Sequence, residues 1–516
     1  MVRLKIDNRE VEAERGAVLI EVIRATGVEV PSMCYLKGEE HFTSCMVCVV
    51  KDRTSGKIIP SCSLQVEEGM DIVSGDEEVL EARKMALELL LSEHVGDCEA
   101  PCQVTCPAHM NIPLMNRLLA RGEFSEALKV VKKDIALPAV LGRICTAPCE
   151  GACRRKQVDQ PVSICLLKRF AGDRDLAEAD PWMPPPGDPT GKRVVVIGAG
   201  PAGLAAAWHL SLKGHSCTVV DRNGKAGGSL RREVPEGELP QEVLDREIEL
   251  IRKAGVEFSL SDRVDAGRFG ALSRDFDAVV IATGKGEGGI AEWLPPGSAG
   301  ADGKTYRVGD TGIFVVGSAL KPSRMAIRAL GQGKEVSFSV DQFLRGHPVR
   351  GERFRFNSRF GRLVPAEFAE YLKESAEGKR LEPVDPGEGL SAEQVMEEAG
   401  RCLHCDCRDL EHCRLRIYAG QYGADQKRFQ SGERELCRKV DQHDLVIFEP
   451  SKCIKCGICV RITERCREEF GFTFIGRGFD VTVDIPFNEP LSRGLTRAAS
   501  EVAGACPTGA ISLKVR

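Results

Sequence analysis

The chain has 516 residues, 42% hydrophobic and 28% charged, with 71 basic against 76 acidic side chains and a formal net charge of −5. That length exceeds what one core supports, so several domains are expected, and the mild acidity leaves no basic field for nucleic acid and no polybasic membrane patch. The 22 cysteines fall mostly in clusters too tight for good disulfides, which makes metal chelation in a reducing cytoplasm their expected use.

The start, Met1-Val2-Arg3-Leu4-Lys5-Ile6, has no apolar signal segment, alternates as a strand should, and opens a small β-rich module. No apolar run reaches the roughly 20 residues of a membrane span. Residues 18–26 read as a helix ended by Gly27. Cys34, Cys45, Cys48 and Cys62 follow with spacing C-x10-C-x2-C-x13-C. Three thiolates from one looping segment and one from a later segment can wrap a [2Fe–2S] cluster, with Ser44, Ser61 and Ser63 near enough to donate to sulfur. A zinc ion could use the same four thiolates.

Residues 76–175 read as mostly helical, with an amphipathic run over 78–92. They carry His94, Cys98, Cys102 and Cys106, then Cys145, Cys149, Cys153 and Cys165. Spacing of four places thiols on one helical face. A Pro/Gly-rich linker spans 180–189.

Next comes Arg193-Val-Val-Val-Ile197, an apolar run suited to a buried parallel strand. Gly198-Ala199-Gly200-Pro201-Ala202-Gly203 follows at once and leads into an Ala-rich helix. In this setting Gly198 permits the turn, Gly200 lets the backbone approach a pyrophosphate, and Gly203 lets helix and strand pack. Asp221 ends the next strand, placed to accept from an adenosine ribose.

Residues 347–390 are polar and charged and predict no clear element. Beyond them Cys402, Cys405, Cys407 and Cys413 read C-x2-C-x-C-x5-C. Four thiols within twelve residues predict a [4Fe–4S] cluster, or zinc, with His404 and His412 assisting. Cys453, Cys456 and Cys459, with Cys506 before Pro507, form a ferredoxin-like set in which Thr463 stands where a second cluster's thiol would fall. One [4Fe–4S] cluster is expected there. Cys466, Cys217 and Cys437 read as structural.

Several of these motifs resemble known families. The quartet Cys34, Cys45, Cys48 and Cys62, the His94-x3-Cys98 start and the ferredoxin-like end are similar to the large iron–sulfur subunit of NADH dehydrogenase, and the first also to iron-only hydrogenases. Asn111-Ile112-Pro113, Gly142-Arg143-Ile144-Cys145 and Pro148-Cys149-Glu150-Gly151-Ala152-Cys153 resemble the helical domain of the glutamate synthase small-subunit family, which also occurs in dihydropyrimidine dehydrogenase. That resemblance implies one [4Fe–4S] cluster on Cys106, Cys145, Cys149 and Cys153, and a second using Cys98 and Cys102. His94 and Cys165 are the candidates to complete the second.

Gly227-Gly228-Ser229-Leu230, Leu239-Pro240, the stretch ending in Gly284, and Gly312 to Gly317 resemble the same family's flavin domain, which implies FAD. Two departures weigh against direct oxidation of NAD(P)H. The interval between Gly228 and Gly317 is too short for the family's NADPH-binding insertion, and Ser318 replaces an aspartate that contacts the flavin ribityl chain.

The expected architecture is multidomain α/β and α+β. A β-grasp [2Fe–2S] domain (1–77) precedes a helical double [4Fe–4S] domain (78–178) and a Rossmann-like FAD domain (190–346). A cysteine-rich [4Fe–4S] segment (391–440) and a ferredoxin-like domain (441–516) follow. The cofactors expected are FAD, one [2Fe–2S] and three to four [4Fe–4S] clusters. The function expected is electron relay between a catalytic subunit, of hydrogenase, formate dehydrogenase or aldehyde oxidoreductase type, and ferredoxin or a nicotinamide-binding subunit. The alternatives are a stand-alone NAD(P)H:acceptor oxidoreductase and a redox sensor or cluster scaffold.

Overall fold

A computed structural model describes all residues except 286–289, 296–299, 354, 386 and 515–516. The chain divides into two compact units: residues 1–99, 354–374 and 405–516 form the first, and 100–353 and 375–404 the second. The second unit thus interrupts the first in sequence, an organisation that five consecutive domains did not anticipate.

The first unit opens with a five-stranded mixed sheet. Its strands are β1 (Val2–Ile6), β2 (Arg9–Ala13), β3 (Val49–Asp52), β4 (Lys57–Pro60) and β5 (Asp71–Val73), in the order β2-β1-β5-β3-β4. Alternation works as expected: Val2, Leu4 and Ile6 are buried and Arg3 and Lys5 exposed. Helix α1 (Leu19–Ala25) buries Leu19, Ile20 and Ile23 in the same core and ends before Gly27, whose φ is +85°.

Helix α2 (Glu77–Ser92) starts at Asp76, whose side chain accepts from the Val79 N–H. It was expected to begin the helical domain. It belongs to the first unit instead, because Arg83 donates to the Val49 carbonyl and Tyr422, and buried Glu88 pairs with Arg428 at 2.7 Å.

The second unit begins with short helices: α3 (Pro101–Thr105), α4 (Ile112–Ala120), α5 (Phe124–Asp134), α6 (Pro138–Ile144), α7 (Pro148–Gly151) and α8 (Ile164–Ala177). Helices α6 and α8 cross at small residues. A Cβ on Gly142 would lie 2.4 Å from the Arg169 Cα, and one on Gly172 2.6 Å from the Ala139 nitrogen. The N–H groups of Ala139 and Val140 in the first turn of α6, which have no intrahelical acceptor, both donate to buried Glu247 at 2.9 Å.

A parallel sheet follows, with strands β6 (Arg193–Ile197), β7 (Ser216–Asp221), β8 (Glu257–Leu260), β9 (Ala278–Ile281) and β10 (Ile313–Val315) in the order β10-β9-β6-β7-β8. Helices α9 (Pro201–Leu212), α10 (Gln241–Lys253) and α11 (Ala326–Leu344) belong to this region. Helix α12 (Ala392–Gly400) packs on α4, so residues 391–404 join this unit rather than a cysteine-rich segment of their own.

The first unit then resumes with α13 (Arg414–Tyr422), which packs on α2, and with strand β11 (Val446–Phe448), helix α14 (Ile458–Arg465), helix α15 (Ala499–Ala505) and strand β12 (Ile511–Leu513). β11 and β12 pair antiparallel with Phe448 opposite Ile511, which brings the chain end back to Cys453.

Candidate iron–sulfur and dinucleotide sites

The first quartet is buried. Cys34, Cys45, Cys48 and Cys62 are each 3% exposed or less. β3 begins immediately after Cys48, and the turn after β4 delivers Cys62. The Ser61 hydroxyl donates to the Cys48 carbonyl at 2.7 Å and closes this turn. Hydrogen bonds from the Cys45 and Cys62 thiols pull Cys34 down to about 2, and a bond from Cys62 pulls Cys48 down to about 7. The Cys45 thiol donates to Cys34, and the Cys62 thiol to both Cys34 and Cys48, so the four sulfurs lie together, as a binuclear centre would need.

The next groups differ from the expectation. Cys98 lies with Cys407 and Cys413, not in a set with Cys102. The Cys407 N–H donates to the Cys98 carbonyl at 3.0 Å, and each of Cys98 and Cys413 feels the charge of Cys407. Burial pushes the Cys98 thiol up to about 12. Backbone N–H groups of Ser358 and Arg416 approach the Cys98 and Cys413 sulfurs at 3.3 and 3.5 Å. His94, on the turn after α2, is buried beside Lys452, and its Nδ1 has no hydrogen-bond partner. Burial lowers its pKa to about 4, so the ring is neutral and that nitrogen is an available metal donor. Gly509 completes the pocket, since a Cβ there would lie 2.9 Å from the Cys407 sulfur. Of the expected quartet, Cys402 belongs to the second unit and Cys405, Cys407 and Cys413 to the first. His412 is exposed, 3.6 Å from Asp409.

In the second unit Cys165 joins Cys145 and Cys149. The Cys145 thiol donates to Cys165, and Cys165 donates to Cys149. All three, with Cys106, act on the buried ammonium of Lys168. The structure thus sets Cys165 beside Cys145 and Cys149, where the resemblance implied Cys153. The cause is the α6–α8 crossing, which presses the end of α6, where Cys145 sits, against the first turn of α8, where Cys165 sits. Cys153 lies instead beside Val162 and feels Arg401. Arg155, two residues after Cys153, donates to the carbonyl of Arg401, the residue before Cys402, at 3.0 Å. Helix α3, which carries Cys102, packs on α7, just before Cys153.

The crossing yields a test. Gly142→Val is expected to lower stability by about 1–3 kcal/mol, because the added group meets Arg169 backbone, and to release iron from this unit. Denaturant midpoint and iron content of the purified chain check it; an unchanged pair would show that the crossing does not hold the site.

Cys453, Cys456, Cys459 and Cys506 line one cavity with Ile458 and Ile511. Backbone N–H groups of Lys455 and Ile511 point at the Cys453 and Cys506 sulfurs at 3.3 and 3.4 Å. Thr463 donates to the Cys459 carbonyl at 3.0 Å, so it serves α14 and adds no thiol.

The dinucleotide site has the geometry the glycines predict. Gly198 has φ +114°, and a Cβ on it would lie 2.4 Å from the Ala282 carbonyl oxygen. A Cβ on Gly203 would lie 1.9 Å from the Gly198 oxygen. Gly200 faces open space, while Gly228 packs on its Cα. Asp221 accepts from the Ala199 N–H at 2.7 Å and bonds Asn223 with its other oxygen. Gly284 and Gly317 take φ of +72° and +68°, and the Gly317 N–H donates to Gln332. The Ser318 hydroxyl donates to the Ser323 carbonyl at 3.3 Å. Sequence reasoning missed Gly331. A Cβ there would lie 2.4 Å from the Pro107 carbonyl, so α11 of the dinucleotide fold packs directly against the turn after Cys106.

Three family models match the chain. Residues 1–77 match a 2Fe–2S iron–sulfur cluster binding domain, residues 91–179 the dihydropyrimidine dehydrogenase domain II with a 4Fe–4S cluster, and residues 196–259 an NAD(P)-binding Rossmann-like domain. The chain thus combines 2Fe–2S, 4Fe–4S and Rossmann-like dinucleotide domains. It is 40% identical over 207 residues to the NADP(+)-dependent formate dehydrogenase subunit beta of Moorella thermoacetica, covering 36% of this chain and 29% of that one. The NADPH-Fe(3+) oxidoreductase subunit beta of Geobacter sulfurreducens is 38% identical over 190 residues, with 36% and 28% covered. The glutamate synthase [NADPH] small chain of Bacillus subtilis is 36% identical over 201 residues, with 36% and 40% covered. The matches span less than half the length of each relative. Among the described residues no helix is long and apolar enough to cross a membrane.

Proposed function

We propose that the chain is a cytoplasmic electron-transfer subunit of a larger oxidoreductase, holding one [2Fe–2S] cluster, up to four [4Fe–4S] clusters and FAD. The observation that carries this reading is one apolar cluster of the first unit that contains Cys34, Cys45, Cys413 and Cys456, so three cysteine sites border the same packed region. Clusters supply one-electron transfer and a flavin exchanges one or two electrons, so together they suit a relay.

The protein's part is to hold each centre. Cys34, Cys45, Cys48 and Cys62 would take the [2Fe–2S] cluster. His94, Cys98, Cys407 and Cys413 would take a histidine-ligated [4Fe–4S] cluster, into which the orphaned Nδ1 fits. Cys106, Cys145, Cys149 and Cys165, and Cys453, Cys456, Cys459 and Cys506, would take two more. Cys102, Cys153 and Cys402 would begin a fourth. The loop at Gly198, Gly200 and Gly203 would hold the FAD pyrophosphate at the start of α9, with Asp221, Gly228, Gly284, Gly317 and Ser318 around it. Catalytic partners of formate dehydrogenase type are favoured by the relatives, with ferredoxin or a nicotinamide-binding subunit at the other end.

The match to an NAD(P)-binding model favours a second reading, direct reduction by NAD(P)H. Anaerobic mixing of the intact, cluster-loaded chain with NADH, NADPH or reduced ferredoxin separates the two. Bleaching by ferredoxin alone is the expected result. Rapid bleaching by either nicotinamide would move the chain to the second reading.

A further inference from the structure

Lys168 lies four positions past the start of α8, three residues from Cys165, and is only 3% exposed. Its Nζ stands 3.9 Å from the Cys165 sulfur. The strongest charges acting on it are those of Cys165, Cys145, Cys149 and Cys106. A second lysine buried beside a thiol, Lys452, is paired with Glu449 at 2.5 Å. Lys168 has no such carboxylate among its strongest interactions; the two carboxylates nearest in sequence are engaged elsewhere, Asp173 by Arg143 and Arg169 and Asp175 by Lys132, and Glu150 accepts from the Cys165 N–H and Arg380.

An ammonium taken out of water costs heavily unless an anion faces it. Here the anion available is the thiolate set itself. We propose that Lys168 is a fixed counter-charge to the Cys106, Cys145, Cys149 and Cys165 site and raises the reduction potential of the iron–sulfur cluster held there. The inference rests on the reading of that site as a cluster. The step affected is addition of one electron, delivered by a low-potential one-electron donor, to a centre that already bears net negative charge with four thiolates. Each added negative charge is stabilised by a positive charge fixed nearby, so the reduced form gains more than the oxidised form. The first turn of α8 adds its partial positive charge in the same sense. The effect would make this site easier to reduce than a cysteine site without a buried cation, and thus a place where electrons rest.

The test is a dithionite titration with redox mediators on the full cluster-loaded chain, followed by electron paramagnetic resonance, for wild type, Lys168→Met and Lys168→Gln. The expected result is a negative shift in the midpoint of one [4Fe–4S] signal in both variants, with iron content unchanged. Unshifted midpoints with full iron would overturn the proposal. Loss of that cluster in both variants would also overturn it, because the lysine would then be holding the site together rather than tuning it. A Cys165→Ser chain tests the underlying reading separately. Loss of one cluster's iron supports that reading, and full retention of iron and signals removes it whatever the lysine variants do.

Discussion

Cys98→Ser and Cys413→Ser are each expected to remove the same cluster, costing about four iron atoms per chain, and the double variant is expected to lose no more than either alone. The two residues are 315 positions apart in sequence, yet both feel the charge of Cys407, whose N–H bonds the Cys98 carbonyl. Two independent centres would give additive losses; one shared centre cannot. His94→Ala should weaken the same signal, and His94→Cys should retain iron while shifting its potential downward, since imidazole ligation raises cluster potentials. Iron analysis and electron paramagnetic resonance of the five variants decide the matter. Additive iron loss in the double variant would sink the grouping and return Cys407 and Cys413 to a separate site.

The second large effect is expected at the dinucleotide loop. Gly198→Ala should cut bound flavin at least tenfold while leaving iron content near wild type. The residue sits at φ +114°, where a side chain is strained, and its Cβ would press on the Ala282 carbonyl 2.4 Å away. Both partners are backbone, so neither can swing aside. The loop that must approach a pyrophosphate would be displaced from the start of α9. Flavin released by denaturation, quantified by absorbance and chromatography against iron, reads this directly and also identifies the nucleotide. Undiminished flavin in the variant would show that it binds elsewhere.

The glycine loop was legible because strand, turn and helix are continuous in sequence and Asp221 lies one strand away. The quartet Cys34, Cys45, Cys48 and Cys62 was legible for the same reason, as was the ferredoxin-like set, whose distant member Cys506 is returned by the pairing of two short strands. Helices over 19–25 and 77–92 likewise follow from their own apolar spacing and caps.

The sequence by itself determined which residues are available for metal and dinucleotide chemistry, since thiols at spacings of two to four and glycines between a strand and a helix imply it through local geometry alone. Only the tertiary structure decided how the thiols are shared. Cys98 and Cys407 meet because the 1–99 and 405–516 segments fold as one unit around the interruption. Cys165 meets Cys145 because Gly142 and Gly172 let α6 and α8 cross at backbone contact. Spacing constrains neighbours within a turn or two of chain, whereas these pairings depend on long-range packing, in which a missing Cβ on one helix sets the position of a sulfur on another.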